Sequence, residues 1–148
     1  MPISQKIRDL IKSAWDDGAP CLVATNGPEG PNISVKGSMV VFDDQHLAYW
    51  ERSKKQALAN LAHDKRVCVI YANFKAQRDG VLDSGFLRFY GTAETHESGP
   101  IHKNAPKQIR LRNRQLKPKP LQRRKPVRHQ AFSARFIEAE LHISVFCA

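Results

Sequence analysis

The chain changes character near Pro100, and no other feature limits so strongly what it can fold into. Residues 1–100 hold 12 Lys/Arg and 12 Asp/Glu, so the front of the chain is neutral. Residues 101–148 hold 12 Lys/Arg against only Glu138 and Glu140, so the whole net charge of +10 lies there. From His102 to Arg128 there are eleven Lys/Arg, four prolines (Pro106, Pro118, Pro120, Pro126) and no acid. Leu111, Leu116 and Leu121 stand alone in this stretch and cannot make a continuous core face. Like-charge repulsion and proline both oppose packing. The expected division is therefore a core over residues 1–100 and a basic, proline-rich segment over 101–148. At 148 residues the chain suits one domain, burying about two thirds of its unfolded surface.

Hydrophobic periodicity organises the front. Ser4 is placed to cap a helix in which Ile7, Leu10, Ile11, Ala14 and Trp15 follow helical spacing, Trp15 packing into the core. Asp16-Asp17-Gly18 and Pro20 end it. Cys21 to Thr25 reads as a strand, and Asn26-Gly27-Pro28-Glu29-Gly30-Pro31 as a turn. A second strand over about Asn32 to Phe42 is interrupted at Lys36-Gly37-Ser38, and His46 to Glu51 is its hairpin partner. A short helix is expected from Ser53 to about His63, with Ser53 as N-cap. Arg66 to Ala72 is an apolar, β-branched strand. A polar loop over Asn73 to Ser84 leads to Gly85–Glu94, where Phe86, Arg88 and Tyr90 alternate with Leu87 and Phe89. Leu141, Ile143 and Val145 alternate near the end, so a last strand is expected within 131–146. The order of elements is that of an α+β fold built on an antiparallel sheet or barrel, with short flanking helices.

Several function classes lose support at this stage. The opening MPISQKIRDLIKSAWDD carries charges every few residues, so no signal peptide is expected. No apolar run approaches the roughly 20 residues that span a bilayer. Cys21, Cys68 and Cys147 are odd in number and widely spaced, and Cys21 and Cys68 sit in apolar stretches as small hydrophobes. The histidines show no ligand spacing. Neither a disulfide framework nor a metal site is expected, and the compartment reads as cytoplasmic.

The most informative chemistry is at Ser34-x-Lys36-Gly37-Ser38 on a strand, followed by Tyr49-Trp50-Glu51-Arg52-Ser53-Lys54-Lys55 opening a helix. Ser53, Lys54 and Lys55 bring a hydroxyl, two ammonium groups and free backbone amides to one helix N-terminus, which suits a phosphate. Cations there oppose the helix dipole, and a bound anion relieves the conflict. An ordinary solvated lysine pair beside a serine cap fits the same spacing.

The segments PCLVATNGPEGPNISVKGSMVVFDDQHLAYWERSKKQALANLAHDKRVCVIYAN and LRFYGTAE together resemble the pyridoxamine 5′-phosphate oxidase-like FMN-binding split-barrel proteins over residues 1–98. The shared landmarks are the G-P-E-G-P-N turn, the polar strand after it, a S-[KR]-K helix start, N-L-x-x-D-x-R-V and a late F-x-G-T-A-E strand. The resemblance implies a six-stranded antiparallel split β-barrel of Greek-key type. It also implies a homodimer holding FMN in the clefts between subunits. The strand from Ser34 through Lys36 and Gly37 to Ser38 would line the flavin and its ribityl chain, and Tyr49 and Trp50 would pass beside it. Lys54 and Lys55 would hold the phosphate with help from Ser53, Lys54 acting as a point charge without the arginine fork. Lys36 would face the N1/C2 carbonyl edge of the ring. Trp50 either stacks near the flavin or packs in the barrel. From about Ile101 the positions depart from the family pattern, and no residues are carried over there.

The activity this implies is that of a flavin-dependent oxidoreductase passing electrons between a donor, such as a reduced nicotinamide, and a small molecule. The cofactor carries the chemistry, so no acid, base or nucleophile is assigned. Two other functions fit parts of the sequence. A basic arm over 103–128 could bind nucleic acid through phosphate contacts, although it has no aromatics to stack bases. A split barrel could also hold haem or a deazaflavin in place of FMN.

Overall fold

The computed structural model describes residues 2–52, 55–100, 102–103 and 140–147. Helix α1 spans Gln5–Ser13, and the Ser4 hydroxyl caps it by accepting from the Ile7 amide at 3.4 Å. Its buried residues Leu10 and Ile11 face the sheet, as the spacing predicts. The helix is pinned at its start, where the Ile3 amide donates to the Asp44 carbonyl and Arg8 pairs with the Asp44 carboxylate at 2.5 Å. Trp15 departs from expectation. The helix has ended before it, so helical periodicity no longer applies, and its indole is 43% exposed.

Strands β1 (Cys21–Gly27) and β2 (Gly30–Lys36) form an antiparallel hairpin around Pro28-Glu29. The chain then breaks at Gly37 to Met39 before the two-residue β3 (Val40–Val41), and β4 (His46–Glu51) pairs back on it. Helix α2 covers Gln56–His63 with Lys55 at its N-cap position. The expected start at Ser53 is thus corrected to Gln56; Ser53 and Lys54 lie outside the described residues. Strand β5 (Arg66–Ala72) follows.

The segment expected as a polar loop contains a five-residue helix, α3 (Phe74–Arg78), nucleated by the Asn73 side chain accepting from the Ala76 amide at 2.9 Å. Strand β6 (Phe86–His96) buries Leu87 and Phe89 and turns Tyr90 outward, so its alternation is that of the sequence. Strand β7 spans Glu140–Cys147.

Among the described residues the sheet has seven strands in the order β2-β1-β5-β6-β7-β4-β3. The count exceeds the expected six because the break after Lys36 separates β3 from β2. Pairing is antiparallel except at β7, which runs parallel to both β6 and β4. The core lies inside the curl of the sheet, where Val23, Val69, Phe89, Ile143, Leu47 and Tyr49 meet α1 and Leu61 of α2.

The N-L-x-x-D-x-R-V stretch acts in this fold as a set of joints. Asn60, fully buried, donates to the Thr25 hydroxyl at 3.3 Å and the Gly30 carbonyl at 3.2 Å, tying α2 to the first hairpin. Asp64 closes α2 and accepts from the Arg66 amide and guanidinium. The Arg66 hydrogen bonds hold the Asp64 carboxyl down at about 2. Burial pushes the Tyr71 phenol up, while the Asn73 amide donating to its oxygen at 2.8 Å works the other way.

Candidate functional site

The inner face of β2 carries Asn32, Ser34 and Lys36, opposite Thr25, Val23 and Cys21 of β1. β2 is an end strand of the sheet, and through Gly37 to Met39 it runs into β3 at the other end. Polar side chains there face across the barrel's split. Three contacts close it. The Lys36 ammonium lies 2.5 Å from a Glu51 carboxylate oxygen, the two side chains being 6% and 3% exposed. The same ammonium sits 4.9 Å from the centroid of the Tyr49 ring. The Ser38 hydroxyl accepts from the Trp50 amide at 3.0 Å and lies 3.4 Å from the Trp50 carbonyl, to which it can donate. Ser38 thus occupies the place a neighbouring strand's backbone would take beside β4.

The nine residues expected at the cofactor therefore divide. Lys36, Ser38 and Tyr49 come together, and they do so in the barrel's own closure. Gly37 lies under the Trp15 indole: a Cβ there would fall 2.5 Å from Trp15 Cε3 and Cζ3, which is why glycine occupies the position. Trp50 lies on the outer face of β4, packed with Val40 and Phe42 around Ala48, its ring 5.6 Å from that of His102. Ser34 differs from these, because its hydroxyl is buried and has no hydrogen-bond partner among the described residues. Lys55 is exposed at the N-cap of α2, where its all-donor side chain makes no capping bond. Ser53 and Lys54 fall outside the described residues.

Glu51 is the site residue that the sequence reading missed. A signal existed: it shares the phase of Leu47 and Tyr49, so strand alternation directs a carboxylate into the core, which demands a charged partner. An open cleft of about 530 Å³ lies between α2 and the end of β6, lined by Leu58, Ala62 and Thr95 to Ser98. None of the nine expected residues lines it. Among the described residues no three His, Cys, Asp or Glu side chains gather as a metal site, and no helix is long and apolar enough to cross a membrane.

A curled sheet whose ends are bound by side chains across a gap, with short helices packed against it, is the α+β split barrel. Comparison with known proteins gives the same architecture. Its structure resembles that of tagged HupZ from Group A Streptococcus at 28% identity, with a TM-score of 0.58 over 74% of this chain and 79% of that one. A histidine-to-alanine variant of HupZ matches at 30% identity and a TM-score of 0.58, over 74% and 84% of the two chains. A Lactobacillus delbrueckii protein described as a candidate pyridoxamine 5′-phosphate oxidase shares the fold at 24% identity and a TM-score of 0.55, over 72% of this chain and 78% of that one. No curated protein matches. A family model described as pyridoxamine 5′-phosphate oxidase matches residues 3–142, beyond the point where the quoted landmarks stop. The chain belongs to the pyridoxamine 5′-phosphate oxidase family.

Proposed function

We propose that the protein binds FMN and works as a flavin-dependent oxidoreductase on a small molecule, as a homodimer. The observation that carries this reading is the buried Ser34 hydroxyl without a partner among the described residues, on the strand that family resemblance assigns to the flavin. A buried hydroxyl of this kind normally finds a hydrogen bond, and a ligand oxygen or nitrogen supplies one. Lys55 at the uncapped start of α2, beside Ser53 and Lys54 in sequence, supplies cationic charge and backbone donors for the phosphate. When bound, FMN would take up and pass on electrons from a donor such as a reduced nicotinamide. The protein's part is then to bind and orient it: Ser34 at the ribityl or ring polar atoms, Ser53 to Lys55 at the phosphate.

Homodimer formation is supported by the outer face of the sheet. Ile33 is 69% exposed and Val35 57% exposed on β2, adjacent in register to Ala24 and Leu22 of β1, which pair with Cys68 and Ile70 of β5. Tyr90 adds an exposed ring on β6. A contiguous apolar sheet face of this kind marks an interaction surface, and a second copy covers it in the same way on both subunits.

The test is an absorbance spectrum of purified protein after incubation with FMN and gel filtration. Retained flavin bands support the proposal. A Soret band in the protein as isolated would replace FMN by haem, and a colourless protein that takes up no FMN would end the oxidoreductase reading.

A further inference from the structure

We propose that the cleft between α2 and the end of β6 is a binding site for a small organic cation, an ammonium group carried on an apolar body. The site is separate from the flavin strand and does not depend on the flavin reading. Its two walls differ in chemistry. Leu58 and Ala62, one turn apart on α2, form an apolar stripe on one side. Thr95, His96, Glu97 and Ser98 supply hydroxyls, an imidazole and a carboxylate on the other. At about 530 Å³ the space falls within the roughly 300–1,000 Å³ that small-molecule sites occupy. Both walls are fixed in place. Asn60 and Leu61 bind α2 to the first hairpin and to the core. Thr95 and His96 pair in register with Val145 and Phe146, so β7 holds the end of β6. Just before them, the Ala93 amide donates to the Lys65 carbonyl at 2.8 Å.

Electrostatics then select the sign of the ligand. None of the six lining residues is Lys or Arg. Glu97 is exposed in the lining, and a Glu94 carboxylate oxygen lies 3.9 Å from His96 Nε2, so a protonated imidazole is already matched by an acid. Ala62 belongs to the last turn of α2, the end at which the helix dipole is negative. His63 and Lys65 follow in sequence, but both are exposed and neither lines the cleft. A phosphate or carboxylate ligand is therefore disfavoured. An ammonium gains Glu97 and the helix end, and the hydroxyl oxygens of Thr95 and Ser98 can accept from it. The hydrocarbon part of the ligand covers Leu58 and Ala62, removing their apolar surface from water.

The experiment titrates the isotope-labelled full chain with benzylamine, benzyl alcohol and benzoate, which share a ring and differ in charge, and follows assigned backbone amides by NMR. Benzylamine should move the amides of Leu58, Ala62 and Thr95 to Ser98 along a saturable curve. Benzyl alcohol should bind there several-fold more weakly, and benzoate should leave these amides unmoved. Glu97→Gln should weaken benzylamine binding roughly two- to five-fold, the worth of one exposed ion pair, and leave benzyl alcohol binding unchanged. Ala62→Phe, at an exposed position of α2, fills the cleft and should abolish binding of both. Should that variant fail to fold, Ser98→Trp, in the bend after β6, blocks the same space. Benzoate binding as well as benzylamine, or shifts confined to other parts of the chain, would overturn the proposal. Absence of any saturable shift with benzylamine, or binding that survives a filled cleft in a folded variant, would overturn it too. Failure of the flavin reading looks different, since uptake of FMN has no bearing on any of these outcomes.

Discussion

Removing the Asn60 side chain should separate the second helix from the first hairpin. In Asn60→Ala the Gly30 carbonyl and the Thr25 hydroxyl lose the donor that reaches them at 3.2 Å and 3.3 Å, and Gln56 loses the acceptor at 2.8 Å. Thr25 and Asn60 are both buried, so water does not replace these bonds without rearrangement. At about 1 kcal/mol for each net hydrogen bond, the loss is roughly 2–3 kcal/mol. Thermal unfolding should move down by about 8 °C for a domain of this size. Asn60→Asp separates hydrogen bonding from packing. It keeps the shape, but at neutral pH it can donate to neither oxygen, so it should be at least as destabilising as alanine. The folded state then favours the protonated acid, so stability should partly return as pH falls through the carboxylate range. Gly27 makes a second handle. A methyl group there would meet Asn60 Oδ1 at 2.3 Å and Asn60 Cα at 2.9 Å. Gly27→Ala should therefore cost less in the Asn60→Ala background, yet not become free, because the backbone contact remains. Urea unfolding of the four proteins measures the cycle. An Asn60→Ala cost under about 0.5 kcal/mol, or an aspartate variant more stable than the alanine one at neutral pH, would refute the reasoning.

Three further outcomes are expected. In Arg66→Ala the Asp64 carboxyl, held at about 2 chiefly by the Arg66 side chain, should titrate higher by NMR yet stay below 3.8, because the amide of residue 66 still donates to it. A depressed carboxylate stabilises the fold above its unfolded value and loses that contribution as pH falls, so wild type and variant should converge in stability between about pH 4 and pH 2. Ile33→Asp with Val35→Asp should give a monomer by light scattering with the strand signal in circular dichroism intact; an unchanged dimer would remove this face from the interface. Trp15→Ala should cost only about 1 kcal/mol, given its half-exposed ring, and Gly37→Ala should be better tolerated in that background than alone, as denaturant midpoints would show.

Much of the fold could be read from the residues because local chemistry and global packing agree there. Ser4 caps α1, the Gly27 to Gly30 turn joins the first hairpin, and β4 runs from His46 to Glu51 as expected. The disagreements share a cause: contacts distant in sequence. α3 depends on one Asn73 hydrogen bond and is too short to show periodicity. Trp15 is drawn to the surface of Gly37 after α1 has ended. α2 begins at Gln56, not at the hydroxyl that looked like its cap. In the site, the residue types on β2 pointed to a polar strand, but not to the closing of the barrel by Lys36 and Ser38. That fact needed Glu51, fifteen residues away and silent as a motif. The placement of β7 between β6 and β4 was likewise out of reach of local pattern.

That placement bears on synthesis. β4 ends at Glu51, and the strand that covers its free edge begins only at Glu140. At about 5–20 residues per second, β4 and β6 wait several seconds with open backbone edges while the chain grows. Pairing so distant in sequence makes closure slow as well. A chain cut before Glu140 should not settle into a smaller barrel; it leaves two unsatisfied edges in the middle of the sheet, ready to recruit other chains. The eleven Lys/Arg of 102–128 emerge during that interval. Their mutual repulsion opposes association of half-built barrels until the last strand arrives.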